Sequence, residues 1–181
     1  MPEMIVYFDT CIFIELLQKQ NQKRFDACEA LRAQGERGEI EIVMSSVAIA
    51  ETIKIGVSPD TQKESDLILE FFEHPYFKIR QCDRFIGESA HRLNVAHSLT
   101  PLDGIHLATA LSVGASVLYT YDGEKKRKKG KLITLDGKLG DPALRIMPPP
   151  NPDKGTLLDP RHQNEDPVET IKFDGKASKA S

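Results

Sequence analysis

The sequence predicts an α/β protein, a three-layer α/β/α sandwich around a central parallel sheet. Three observations predict it. "MIVYF" near the start is a short continuous apolar run, the pattern of a strand buried on both faces. Strand-like runs then alternate with helical segments, often two helices per crossover, and connections of that length join parallel strands. The chain has 181 residues, 40% hydrophobic and 28% charged, which suits one soluble domain with a sizeable core.

The elements follow in order. Thr10 to about Gln18 reads as a short helix after the first strand. Gln22 to Gln34 reads as a second, closed by Gly35. "IEIVMS" is a strand, and Ser46 can cap a helix from Val47 to about Ile55. Gly56 ends that helix, and Pro59 opens the next, through about Phe72. "FKIRQ" is a third strand, followed by a helix from Arg84 to His97. Pro101 opens another helix that runs to about Val113, and "ASVLYTYD" is a strand rich in β-branched and aromatic residues. From Pro148 the chain is rich in Pro, Asp, Lys and Ser without a sustained apolar period. It is expected to be a mostly disordered tail over 148–181, because it cannot bury enough surface to offset its ordering entropy. "ETIKF" is the strand-like fragment within it.

Composition narrows the function. The net charge is -3, so nucleic-acid affinity requires a local patch. Cys11, Cys28 and Cys82 form no C-x-x-C pair, which indicates neither a zinc site nor a disulfide framework and suits a reduced cytoplasm. The N-terminus does not read as a signal peptide, no run approaches the length of a membrane span, and no membrane association is expected. No P-loop, dinucleotide fingerprint or Ser-His-Asp order suggests itself.

Four carboxylates stand where a plain fold does not need them. Asp9 follows the first strand directly, at the end where parallel sheets gather ligands, or it caps the next helix. Glu51 borders the apolar stripe of its helix beyond the first turn, or pairs with Lys54 or another base. Asp103 completes the capping box of Thr100-Pro101-Leu102-Asp103, yet it opens a helix, "GIHLATALSVGA", that is apolar nearly all round and so packs inside. His106 lies one turn along and reads as a core hydrogen-bonder. Asp122 ends the "VLYTY" strand as Asp9 ends "IVYF", or simply makes a turn in "YDGE". Asp136 in "LITLDGK" is a similar but less favoured strand-then-Asp-Gly setting. If the two strands are neighbours, the four acids converge. Clustered carboxylates repel one another unless a cation sits among them. Hard oxygen donors select Mg²⁺ or Mn²⁺, and such a site activates water and steadies charge developing on a phosphodiester.

Asp9-Thr10, Glu51 in "SSVAIAE", Asp103 in "LDGIHLATA" and Thr120-Tyr121-Asp122 occur in the order that resembles the PIN-domain nucleases, and among them the VapC-type toxin ribonucleases of bacterial and archaeal toxin–antitoxin pairs. The likeness spans about Met4 to Met147, making residues 1–147 a PIN-like nuclease domain. It implies a metal-dependent endoribonuclease that leaves a 5′-phosphate. Asp9, Glu51, Asp103 and Asp122 are then the metal ligands, and the Thr10 and Thr120 hydroxyls hold water or carboxylates in place. It further implies an RNA substrate, a homodimer and, for a toxin, an antitoxin partner. Cys11 departs from the Asn or Ser of many members, and the link after Asp122 is longer than usual.

Within that link Lys125, Lys126, Arg127, Lys128 and Lys129 either bind RNA phosphates beside the site or form a solvated hairpin tip. Phe71, Phe72, Tyr76 and Phe77 are expected to pack in the core rather than stack on bases. One rival function is a catalytically inactive PIN-like domain that binds RNA or protein. Another is a phosphatase with Asp9 as nucleophile, for which "FDTCI" lacks the second aspartate two positions later.

Overall fold

The computed structural model describes residues 4–52, 62–123 and 132–151. The expectations for residues 53–61, for the basic run Lys125 to Lys129 and for the tail beyond Asn151 lie outside the described residues. In chain order come β1 (Ile5–Phe8), α1 (Thr10–Gln18), α2 (Gln22–Glu36), β2 (Glu41–Ser45), α3 (Ser46–Glu51), α4 (Gln62–Phe72), β3 (Phe77–Arg80), α5 (Arg84–His97), α6 (Pro101–Ser112), β4 (Val117–Tyr119), a 3-10 turn (Leu132–Leu135) and β5 (Arg145–Met147). No described helix is long and apolar enough to cross a membrane.

The five strands make one sheet in the order β3-β2-β1-β4-β5, and every neighbouring pair is parallel. Tyr7 at the centre registers with Val43 on one side and Leu118 on the other. Because all strands run the same way, their carboxyl ends share one edge. The winding direction reverses between β1 and β4, and it is at the carboxyl ends of strands beside such a reversal that open parallel sheets commonly bind ligands.

The alternation of the strands divides the core. Val6, Phe8, Ile42 and Met44 face Ile12, Phe13, Leu16, Leu31 and Phe72 of α1, α2 and α4. Tyr7, Val43 and Leu118 face the other way, against Leu107 and Ala110 of α6. Behind α6 lies α5, joined through Ile86, Ala90 and Ala108. This is the three-layer sandwich expected. The aromatic residues pack: Phe72 and Phe77 are buried, and Phe13 meets both at 5.2 and 5.4 Å between ring centroids. Tyr76 receives a hydrogen bond from Arg32.

Several local expectations are corrected. Ser45, not Ser46, caps α3, its hydroxyl accepting the Val47 N–H; Ser46 is already helical. Gly35 does not close α2, which runs on to Glu36. Its lack of a side chain instead admits Ile42, whose Cδ1 would lie 2.2 Å from a Cβ there. The strand expected over "ASVLYTYD" is Val117–Tyr119 alone, so Asp122 sits in a turn beyond the strand rather than at its end. Asp136 follows a 3-10 turn, not a strand. A fifth strand, Arg145–Met147, was not expected; three residues flanked by prolines carry too little periodicity to announce it. Pro149 is buried, so packed chain continues past Met147.

The α5–α6 contact depends on one absent side chain. A Cβ on Gly104 would stand 1.9 Å from Oδ1 of Asn94. Gly104→Ala is expected to cost about 1–3 kcal/mol through overpacking, and Asn94→Ala in the same chain should recover most of it. Urea melts of the two single and one double variant check this; additive losses would show that Asn94 is not the obstacle.

Candidate active site

Asp9 stands where β1 ends and α1 begins. It is the N-cap of α1: Oδ1 accepts the Thr10 N–H at 2.7 Å. Its other oxygen accepts the Thr120 hydroxyl at 2.6 Å and the Cys11 thiol at 3.3 Å. Thr120 directly follows β4, so these bonds span the β1–β4 boundary. The capping and site readings of Asp9 describe the same carboxylate, one oxygen serving each. Burial, and then the charge of Asp9, push the Cys11 thiol well above its ordinary pKa. Cys11 therefore keeps its proton as a donor to Asp9, while its sulfur accepts the Tyr121 N–H at 3.2 Å.

Glu51 is the last residue of α3. Its Oε2 accepts the Thr10 hydroxyl at 2.6 Å and lies 2.7 Å from Nε2 of His106. The partner is thus a histidine on α6. The His106 ring is 1% exposed, with Nδ1 2.8 Å from the Tyr7 hydroxyl and Nε2 3.6 Å from Asp9. Burial works to neutralise this ring. The hydrogen bond to Glu51 and the charges of Asp9, Glu51 and Asp103 outweigh burial and raise its pKa.

Asp103 occupies the first turn of α6, whose N-cap is Thr100. The Thr100 hydroxyl accepts the Asp103 N–H at 3.2 Å and lies 2.7 Å from Oδ2 of Asp103. The cap forms as the spacing expects, and the carboxylate also lies within reach of the charges of Asp122 and Asp9. Burial raises its pKa, and the charges of Asp122 and Asp9 raise it further against the Thr100 hydrogen bond. Asp122 is held by its own N–H to the Thr120 hydroxyl at 2.9 Å, and its Oδ2 accepts the Leu132 N–H at 3.2 Å.

Two pairings therefore emerge at the carboxyl edge of the sheet. Asp9 joins Thr120, and Glu51 joins Thr10 and His106, while Asp122 and Asp9 approach Asp103 closely enough for their charges to act on it. Among the described residues, no three His, Cys, Asp or Glu side chains gather tightly enough to hold a metal ion as they stand. The donor chemistry nonetheless suits a hard divalent cation: carboxylate oxygens, one of them on an acid whose ionisation its neighbours oppose.

Asp136 is elsewhere. It accepts from Arg145 and from the Ile146 N–H, at the amino end of β5 and so at the opposite edge of the sheet. Sequence reasoning left His106 and Tyr7 out of the site. The available signal was the spacing of His106, three residues after Asp103 and so on the same face of α6. Tyr7 gave none, since a tyrosine in an apolar strand reads as core.

Residues 6–136 match the family model of the PIN domain. The chain belongs to the PIN domain family. Solved structures with this fold include VapC20 of Mycobacterium tuberculosis, described as a Sarcin-Ricin loop cleaving toxin. It is 15% identical with a TM-score of 0.55, over 66% of this chain and 91% of that one. VapBC2 of Rickettsia felis, bound to a DNA fragment from its promoter, is 19% identical with a TM-score of 0.51, over 79% and 98% of the two chains. No curated protein sequence matches the chain. In this PIN domain the four acids of the sequence motif lie at one edge of the sheet, and the hydroxyls of Thr10 and Thr120 each bind one of them.

Proposed function

We propose that the protein is a metal-dependent endoribonuclease whose site is Asp9, Glu51, Asp103 and Asp122, with Thr10 and Thr120 as positioning residues. The observation that carries this reading is the convergence of Asp9 and Asp122 on Asp103 at the β1–β4 boundary, where their charges add to burial in raising the Asp103 pKa. Mg²⁺ or Mn²⁺ would be held by the four carboxylates, and when bound it supplies water activation and charge neutralisation at a phosphodiester. Thr120 orients Asp9, and Thr10 does the same for Glu51. Cys11, which stands where many members of the family carry Asn or Ser, donates a hydrogen bond to Asp9.

The description of VapC20 as a Sarcin-Ricin loop cleaving toxin supports RNA as the substrate and a toxin as the biological role; an antitoxin as protein partner and a homodimer belong to the same proposal through the family resemblance. The three free cysteines suit a reducing cytoplasm. Incubating the chain with structured RNA in EDTA, Mg²⁺ or Mn²⁺ tests the activity. Cleavage in metal alone, with 5′-phosphate ends, is expected. That no ligand set gathers among the described residues favours one other reading, a PIN domain that binds RNA or protein without cutting. RNA bound but intact at every Mn²⁺ level would establish it instead.

The basic run Lys125 to Lys129 is proposed to hold RNA phosphates next to Asp122. Replacing all five residues by Gln is expected to weaken RNA binding and flatten its salt dependence, because fewer counterions are released. Binding isotherms across a salt series measure this; an unaltered slope would make the run a solvated loop.

A further inference from the structure

The site reading leaves unexplained why a fully buried histidine and a fully buried tyrosine are joined to it. α3 has six residues, and a helix that short does not hold its last side chain in place unaided. Its two ends are nonetheless tied to one buried pair. At the start, the N–H of Ser45, the N-cap of α3, donates to the Tyr7 hydroxyl at 3.0 Å. At the end, Glu51 meets Nε2 of His106 at 2.7 Å. Tyr7 and His106 meet each other at 2.8 Å, with their rings 5.9 Å apart and edge-on at 63°. The hydrogen bonds thus close a circuit from β1 through α3 and α6 and back. Tyr7 and His106 are each no more than 1% exposed, so water does not compete for these bonds.

We infer that His106 is a further positioning residue of this site: with Tyr7 behind it, it staples both ends of α3 and so sets where Glu51 presents its carboxylate. The inference rests on the reading of the four acids as a metal-dependent nuclease centre. The Tyr7 hydroxyl accepts the Ser45 N–H and pairs with Nδ1 of the ring. Nε2 is directed at Glu51, whose carboxylate accepts its N–H. Thr10, 3.1 Å from Nε2, donates to the same Glu51 oxygen, so two donors from α1 and α6 define its orientation. Hydrogen bonds of this kind, to ligands rather than to a metal, commonly govern affinity by about 10–100-fold.

Three variants of the full chain test this: His106→Asn, His106→Gln and Tyr7→Phe. Gln extends an N–H donor to the place of Nε2, whereas Asn reaches only to that of Nδ1. Two quantities are read: Mn²⁺ affinity by electron paramagnetic resonance, and amide hydrogen exchange in α3 and α5. His106→Asn is expected to weaken Mn²⁺ binding and to speed α3 exchange, each by about tenfold, with α5 unchanged. His106→Gln should restore both to within about threefold of the parent, since its donor to Glu51 survives. Tyr7→Phe should speed α3 exchange without entering the carboxylate site. Equal effects of Asn and Gln, or exchange rising alike in α3 and α5, would reduce His106 to ordinary core packing and overturn the inference; so would parent-like behaviour of all three variants. The exchange measurement needs no metal. A parent chain that takes up no Mn²⁺ refutes the nuclease reading, while α3 exchange still decides the role of His106.

Discussion

Asp103→Asn is expected to lower RNA cleavage by orders of magnitude while leaving the metal-free protein as stable as the parent, or more so. The isosteric amide keeps an oxygen for the Thr100 hydroxyl, and the bond from the Asp103 backbone N–H to that hydroxyl survives. What is lost is the charge. At a helix N-terminus a negative charge is worth about 0.3–1 kcal/mol, which argues for the parent. Burial and the charges of Asp122 and Asp9 argue the other way, and their net effect is a raised pKa. The sign follows from linkage. A carboxyl whose folded pKa lies above its unfolded pKa contributes stability at low pH, and that contribution is lost as pH rises through the folded value. The Asn variant should therefore gain relative to the parent at neutral pH and lose that advantage below the ordinary carboxylate range. Added Mn²⁺ stabilises the parent by mass action and should stabilise the variant less. Thermal melts of both chains at two pH values, each with EDTA and with Mn²⁺, measure all of this. An Asn variant less stable in both buffers, with the parent's full metal-induced shift, would leave Asp103 as a cap and nothing more.

Phe13→Ala is expected to cost about 3–5 kcal/mol, a large part of the 5–15 kcal/mol that holds a typical domain together. Phe13 is fully buried and lies at the centre of an aromatic group. Its ring centroid is 5.8 Å from Phe8, 6.5 Å from Phe71, 5.2 Å from Phe72 and 5.4 Å from Phe77. Truncation would leave a cavity bounded by β1, α4 and β3, which the sheet is too stiff to close. Phe13→Leu should lose less. Denaturant unfolding gives the numbers, and RNA binding well below the melting temperature separates packing from recognition. A loss under about 1 kcal/mol accompanied by a sharp fall in RNA affinity would mean that these rings stack on bases.

The acids were legible because each breaks a local rule. A charge directly after an apolar strand, as at Asp9, or beside the apolar stripe of a helix, as at Glu51, has a desolvation cost that a plain fold avoids. Their capping alternatives were equally legible and equally real: Asp9 and Asp103 both take part in caps. Pattern reasoning failed where elements are brief. β5 has three residues, and the apolar run "LITL" before Asp136 became a 3-10 turn rather than a strand. Short apolar runs do not carry enough period to distinguish these outcomes.

From the sequence alone come the parallel α/β order, the paired helices of the crossovers from β1 to β4 by way of β2 and β3, and the four acids in their family order. These are local properties: apolar runs, caps and breakers act within a few residues. The tertiary structure decided which groups those acids touch. Strand order set Thr120 against Asp9, 111 positions away in the chain, and the packing of α6 on β1 brought His106 to Tyr7, 99 positions away. Such contacts depend on sheet register and helix docking, which arise from the whole core closing at once. No residue pattern near Glu51 names a histidine 55 positions on as its partner.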